Sequence, residues 1–514
     1  MTEVAVVSSD LLRLGGLLTA TGPAMELRSP VTGEVIGELP TSTPADVEVG
    51  AQLAHRAQSE WAARPIDERA RLLLDFHDRL LDRRDYFVDL LQSVGKDRLS
   101  AAEEVLHVAL TARYYGRTAR RYLRSERGEG ILPLLTRVDR HYVPKGLVGV
   151  IGPWNYPLTM TISDGLAALV AGNAIMLKPD HQTPLVALAA VELLRTAGLP
   201  ADVWQVVHGR GTVVGRELID VSDYVNFTGS TATGRTVAAQ CAGRLIGCSL
   251  ELGGKNPMVV LEDADVEAAA DGATRASFFN AGQTCLAIER IYVAEPLFEA
   301  FVRAFVVRTQ AIRLGNAPDF DHDMGSLINY DQLERVSAHV EDAKTKGATV
   351  LIGGRRREDL GELFYEPTIL TGVTPEMECH AEETFGPVVS VYPVIDDDEA
   401  VARANDSDYG LNASVWTSDH DRGRRVARSI KCGSVNVNEG FAATLGSIDA
   451  PMGGMKNSGL GRRQGQDGIR RFVEVQSVAT QNGIPLAPSH GLNGKSFTSV
   501  MTGALRMMKK AGRA

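Results

Sequence analysis

"KGLVGVIGPWNYP", Lys145–Pro157, opens on a continuous apolar run, Leu147–Ile151, and stops at Gly152-Pro153. An unbroken apolar run is what a strand buried on both faces requires, and Gly-Pro supplies the turn that ends it. The unit recurs downstream. "NAIMLKP" (173–179), "VWQVVHG" (203–209), "DYVNFTGS" (223–230) and "RLIGCSLEL" (244–252) read as further strands. Helix-like stretches separate them. "LTMTISDGLAALVAG" (158–172) is one, and others start near Thr212 and Thr231. "TPLVALAAVELLRTAGLP" (183–200) carries Thr183 as cap, Pro184 at the first helical position and a Gly-x-Pro stop. Five strands alternating with helices imply an α/β fold with a parallel, doubly wound sheet. Ligands on such sheets bind beyond the carboxyl ends of the strands.

Outward from this block, residues 41–94 read as polar-faced helices, as in "DERARLLLDFHDRLLDRR". "LLTRVDRHYV" reads as a projecting strand or hairpin arm. A second alternation follows residue 252. "NPMVVL", "LAIERIYV", "ATVLIGG", "FGPVVSVYPV", "LNASVWTS" and "GSVNVNE" supply strands, with helices near Val266–Phe279 and Pro296–Ile312. This is a second α/β domain with its own sheet. The end, from Ser489, reads as a mobile tail whose "LRMMKKAGRA" could form a basic amphipathic helix.

The totals exclude several classes. A chain of 514 residues with 44% apolar and 23% charged content has an ordinary globular composition and room for two large domains. A net charge of −10 argues against a nucleic-acid binder, which needs a basic excess to neutralise phosphates. No run approaches the roughly 18 apolar residues of a membrane span, and no basic leader precedes Glu3 and Asp10. The five cysteines, Cys241, Cys248, Cys285, Cys379 and Cys432, read as reduced thiols of a cytoplasmic protein. They show no zinc-type spacing, so no metal is expected.

Several predicted strands end in polar residues that would meet in one crevice. They offer Asn155, Lys178, the backbone N–H groups of Gly229–Gly234, and Glu251. In "FFNAGQTCLAIERIYV" (278–293), Cys285 lies between loop chemistry and a β-like run. Each has a plain structural reading as well. Cys285 taken alone reads as a small buried residue more readily than as a nucleophile. Asn155 is turn chemistry beside Pro and Gly, Glu251 a paired carboxylate and Lys178 a solvated cation. Joint occurrence in a mechanistically sensible order favours the shared site. The other four cysteines read as packing residues.

Over about residues 25–480 the chain resembles the aldehyde dehydrogenase superfamily. The resemblance is carried by "PWNYP", "LKP", "FTGST", "LELGGKNP", "GQTC", "EETFGPV" and "GGMKNSGLGR", in that order. It implies two doubly wound α/β domains plus a small β oligomerisation arm, assembled as a homodimer or homotetramer. A Rossmann-like cofactor domain would take residues 1–121 and 143–252, and a catalytic domain 253–450. The arm and a C-terminal bridging segment would take 122–142 and 451–485, leaving 486–514 as the tail. It further implies Cys285 as nucleophile, Glu251 as general base and Asn155 as oxyanion donor. Lys178 would contact the adenosine ribose, while Gly229, Ser230 and Gly234 belong to the phosphate-binding turn. Glu383 would hold the nicotinamide ribose with Phe385 beside it, and Trp154 and Leu252 would line the cofactor cleft.

One position departs from many NAD-preferring relatives, which carry an acid three residues after the cofactor lysine. Here that residue is His181, which would not repel a 2′-phosphate, so NADP is expected. The neighbouring Asp180 keeps NAD as the alternative. "PMGGMKNSGLGR" and "GIRRFVEVQSV" resemble the succinate-semialdehyde dehydrogenase branch. A carboxylate substrate calls for an arginine near the pocket mouth. The loop "NEGFAATLGS" offers none, and Arg290 lies in a predicted strand. Aromatic or aliphatic aldehydes therefore stay open. A coenzyme A-acylating dehydrogenase is disfavoured by Glu251, and a non-catalytic relative by the retention of both Cys285 and Glu251.

Overall fold

Leu147–Ile151 is buried at every position, as its unbroken apolar run requires. It lies inside a six-stranded sheet in the computed structural model, which describes residues 10–132, 135–483, 486–489 and 491–512. Across the sheet the strands run Gly459–Leu460, Gly247–Glu251, Tyr224–Thr228, Leu147–Ile151, Ala174–Lys178 and Trp204–Val206. The five strands read from sequence are mutually parallel. The sixth, Gly459–Leu460, is an antiparallel edge lent by the C-terminal segment. The chain fills the sheet outward from Leu147–Ile151 in one direction, then returns to fill the other side. The reversal lies between Leu147–Ile151 and Tyr224–Thr228, whose carboxyl ends flank the crevice where such sheets take ligands.

Only Leu252–Lys255 separate Gly247–Glu251 from Asn256–Val260, which starts a second sheet. Its seven strands run Thr349–Ile352, Thr368–Thr371, Val388–Val394, Ile288–Ala294, Asn256–Val260, Asn412–Trp416 and Ser434–Val437. Thr368–Thr371 had no expectation in the sequence. It is four residues long and follows Pro367, so it offers neither a long apolar run nor an alternation. It pairs antiparallel with Thr349–Ile352, and the other pairings are parallel.

The helix Arg98–Leu123 was also not anticipated, because its buried face is built from Ala, Val and Tyr rather than a leucine stripe. Its N-cap Asp97 accepts from Ser100 N at 2.8 Å. Thr183 does occupy the N-cap position before Pro184, but its side chain makes no capping hydrogen bond and its buried hydroxyl has no partner among the described residues. The expected arm is a three-stranded antiparallel sheet of Val473–Gln481, Thr136–Pro144 and Glu126–Gly128. The chain end carries the helix Gly494–Lys510, which buries no residue. Of the expected divisions, residues 1–9 of the cofactor domain, 133–134 of the arm, 484–485 of the bridging segment, and 490 and 513–514 of the tail lie outside the described residues. Among those described, no helix is long and apolar enough to cross a membrane, and no group of three His, Cys, Asp or Glu could hold a metal ion.

Candidate active site

The turn after Leu147–Ile151, the turn after Tyr224–Thr228, the end of Gly247–Glu251 and the loop before Ile288–Ala294 open onto one cleft. It encloses ≈ 1140 Å³ of space open to solvent. Trp154, Asn155, Gly229, Ser230, Glu251, Leu252, Cys285, Glu383 and Phe385 all line it. Cys285 is half-buried at its wall and is not sealed in the core. Lys178, His181 and Gly234 lie outside the lining.

The loop that presents Cys285 is conformationally unusual. Asn280, Ala281 and Gly282 all have left-handed backbone, with φ of 53°, 54° and 68°. Non-glycine residues there are strained and persist only where surroundings over-determine them. The surroundings do so here. Gln283 donates through Nε2 to Ser326 O at 3.2 Å and accepts from Ile328 N at 3.0 Å. Asn256 Nδ2 donates to Cys285 O at 2.7 Å. A Cβ on Gly282 would stand 2.2 Å from Gly386 O, so the GQTC and EETFGPV stretches touch through backbone.

Asn155 Nδ2 donates to Gln283 O at 2.9 Å, so one amide N–H ties the two loops together and the second has no acceptor among the described residues. Glu251 is 4% exposed, and its Oε1 has no hydrogen-bond partner among the described residues. Burial pushes its carboxyl up to about 7, against the pull of Arg463. Burial, reinforced by the Glu251 and Glu383 carboxylates, pushes the Cys285 thiol up to about 12. The resting sulfur is therefore a neutral thiol beside a carboxyl poised to lose or accept a proton near neutrality. Behind Glu251 lies a buried charge network. Asp164 accepts from Arg471 at 2.7 Å and from Asn226 at 3.1 Å, with Arg463 at 3.4 Å.

Two residues that sequence reasoning passed over position the Glu383 loop. Glu289, buried against Lys255, accepts from Thr384 N at 2.9 Å and Phe385 N at 3.0 Å. Both stand inside quoted stretches, "LELGGKNP" and "LAIERIYV", and an acid in a buried strand was the available signal. Glu383 in turn accepts from Gly254 N at 2.7 Å, and burial raises its carboxyl to about 8. Phe385, at φ 55°, meets Trp154 edge-to-face with ring centroids 5.6 Å apart.

A dinucleotide fits these residues. Ser230 caps the helix Thr231–Gly243, accepting from Thr233 N at 3.3 Å, and points that N-terminus at the cleft. A Cβ on Gly229 would stand 2.6 Å from the Phe227 ring. Gly234 lets the helix approach Leu252, which a Cβ would meet at 2.5 Å. Lys178 is buried, donates to Pro179 O at 3.0 Å, and is held below the usual lysine range by burial. His181 is also held below its ordinary value by burial, and its Nδ1 lies 3.4 Å from Asp180. Asp180 is engaged in its own turn, accepting from Gln182 N at 2.9 Å.

The far end of the cleft is mostly apolar, with Tyr156, Met160, Phe279, Phe441, Leu445 and Met452. Glu103, Glu104 and His107 reach it from the Arg98–Leu123 helix. Arg290 does not. It is buried and spends its guanidinium on the carbonyls of Lys255, Arg403, Ala404 and Asp406 at 2.9–3.2 Å, so it is not a substrate anchor. All five cysteines are free. Cys241, Cys379 and Cys432 are buried packing residues, while Cys248 is half-buried against the Cys241 cluster.

Residues 18–478 match the aldehyde dehydrogenase family. A Mycolicibacterium smegmatis protein provisionally named an NADP(+) succinate-semialdehyde dehydrogenase is 48% identical over 508 residues, 98% of each chain. A Mycobacterium tuberculosis protein with a similar provisional name is 49% identical, covering 96% of each chain. Among solved structures, a Staphylococcus aureus betaine aldehyde dehydrogenase in complex with NAD+ superposes with a TM-score of 0.87 at 30% identity, covering 93% of this chain and 98% of that one. An E. coli NADP-dependent enzyme does so with a TM-score of 0.86 at 33% identity, covering 89% and 95%.

Proposed function

The chain belongs to the aldehyde dehydrogenase family, and from that premise we propose that Cys285, Glu251 and Asn155 carry out NADP-dependent oxidation of an aldehyde to its acid. The observation that carries the reading is their convergence on one cleft from two sheets. The Cys285 sulfur adds to the carbonyl carbon, giving a hemithioacetal whose oxyanion is met by the free Asn155 N–H and the Cys285 backbone N–H. Glu251 Oε1, which has no hydrogen-bond partner among the described residues, takes the thiol proton as the sulfur adds. When bound at the Gly229–Ser230 helix start and Glu383, a nicotinamide dinucleotide supplies the acceptor for the hydride whose departure leaves a thioester on Cys285. Glu251, ionised again, then draws a proton from the water that hydrolyses this thioester.

The substrate we propose is succinate semialdehyde, carried over from the names of relatives at 48–49% identity over nearly the whole chain. The apolar far end of the cleft favours a second reading, an aromatic or aliphatic aldehyde. His181 in place of an acid supports NADP over NAD. We assign residues 1–121 and 143–252 to the cofactor domain and 253–450 to the catalytic domain. Segments 122–142 and 451–485 form the arm and bridge. Val473–Gln481 is an almost wholly exposed edge strand, which supports a homo-oligomer that covers it. The location we propose is the cytoplasm. An aldehyde panel assayed with NADP+ and NAD+, with and without coenzyme A, tests the reaction. Reduced cofactor formed without coenzyme A is expected; a strict requirement for it would overturn hydrolysis.

A further inference from the structure

The apolar far end leaves one question of charge. Among the lining residues only Arg335 is a lysine or arginine, and it stands with Glu383 at the cofactor end. The other cations near the substrate end each face a buried acid of the protein, although Lys96 Nζ has no hydrogen-bond partner among the described residues. Lys96 is buried 3.2 Å from Glu104 and stacked 4.0 Å from the Tyr156 ring centroid. Arg463 and Arg471 serve Asp164. Arg275 differs. It sits at the end of the helix Val266–Phe278, half its side chain exposed, directly behind two lining residues. Its Nη2 donates to Glu103 Oε1 at 2.8 Å, and its guanidinium lies 6.0 Å from the Phe441 ring centroid. Glu103 and Phe441 both line the cleft.

We propose that Arg275 reads the end of the substrate remote from the aldehyde, and that Glu103 is the resident carboxylate which a substrate carboxylate must displace. The inference rests on the family reading above and names the residues that set its substrate class. A guanidinium binds a carboxylate in paired, charge-assisted hydrogen bonds, and one carboxylate can replace another on the same donor face. Glu103 is suited to being displaced. Burial raises its carboxyl above the usual range while Arg275 opposes that rise, and Asp97 and Glu439 add negative charge around it. Lys96 is the other cation near it. Glu439 is tied down, its carboxylate accepting from Gly440 N and Ala443 N at 2.7 Å. An aldehyde with no charge leaves the Glu103–Arg275 pair intact and uses only the apolar wall. The pair thus sets the ratio between carboxylate-bearing and neutral aldehydes, and neither residue touches the reacting carbon.

The test compares kcat/KM for succinate semialdehyde with that for butanal, of the same chain length, in the full-length enzyme. Glu103→Gln frees Arg275 and is expected to raise the ratio about tenfold, the worth of one charge-assisted hydrogen bond. Arg275→Gln is expected to lower it by a similar factor, with the change in KM rather than kcat, and Arg275→Lys to restore part of it. Binding of succinate, followed by calorimetry, should tighten in Glu103→Gln and weaken in Arg275→Gln. A ratio that moves in neither variant, or moves the same way in both, overturns the proposal. If the wild-type enzyme oxidises neither aldehyde, the substrate reading falls on its own, and opposite shifts in succinate binding still decide the role of Arg275.

Discussion

The two ends of the cleft are built differently. At the reacting centre, position comes from backbone. Three consecutive left-handed residues, Asn280–Gly282, aim Cys285, and glycines at 253, 254, 282 and 453 let main chain and carboxylates approach closely. At the substrate end, position comes from side chains on elements far apart in the chain: Glu103 on one helix, Arg275 on another, Phe279 in the turn that follows it, Phe441 and Met452 in late loops. Backbone-built geometry tolerates few residue types and so leaves short local motifs. Side-chain-built geometry can exchange residues without disturbing the fold, which is how one scaffold serves many aldehydes.

The contrast predicts where substitution hurts most. Cys285→Ala removes the nucleophile and should lower turnover by at least about 10⁴-fold, the scale for loss of a covalent catalyst, while dinucleotide binding measured by fluorescence quenching persists. Residual turnover near wild type would move the nucleophile elsewhere. Asn155→Ala should cost about 10²–10³ in kcat, as for one oxyanion donor. A change confined to KM would make Asn155 a structural tie alone.

Next in size are effects on the frame. Lys255→Met leaves Glu289 buried without its cation and should cost about 3–5 kcal/mol of stability by denaturant titration. It should also weaken dinucleotide binding, because Glu289 holds the loop carrying Glu383. Normal binding in a destabilised variant would separate the two roles. Smallest is the adenosine end. His181→Asp should shift the kcat/KM preference toward NAD+ by about tenfold, roughly the effect of one nearby like charge on a phosphate. An unchanged preference would place the 2′-phosphate reader elsewhere.

The same contrast explains what was legible in the sequence. Leu147–Ile151 and Ala174–Lys178 announce themselves because strands buried on both faces need near-continuous apolar runs, and the three strands after them follow in regular alternation with helices. Glu251, Asn155 and Cys285 stand beside glycine- and proline-rich turns and could be ranked together. Glu103 and Arg275 could not. Each is a charged residue on a helix with many, and only the tertiary fold brings these two helices, far apart in the chain, to a 2.8 Å hydrogen bond. Thr368–Thr371 was invisible for a different reason: it is too short for either periodicity to register. Arg290 was legible in the opposite sense: set aside in the sequence because it lies in a predicted strand, it donates to backbone carbonyls and not into the cleft.

Proton linkage adds a sign that can be checked. Burial lifts the Glu251 carboxyl to about 7, above the ordinary glutamate value near 4.3. The folded protein therefore binds this proton more tightly than the unfolded chain, and stability falls as pH rises between those values. Glu251→Gln removes that loss, so its melting temperature should exceed the wild type's at pH 8 and match it near pH 4. The hydrolytic rate should rise with pH through about 7 in the wild type and lose that inflection in the variant.

The central claim is that a sulfur and a carboxylate from opposite lobes share one reaction. Intact-mass and peptide analysis of Glu251→Gln, mixed with aldehyde and NADP+ for a single turnover, addresses it directly. In this variant an acyl adduct on the Cys285 peptide is expected to form more slowly than in the wild type, because the acceptor of the thiol proton is also gone, and to clear more slowly still, so that it accumulates toward one per subunit. Sustained multiple turnovers with no adduct, or an adduct on another cysteine, would contradict it.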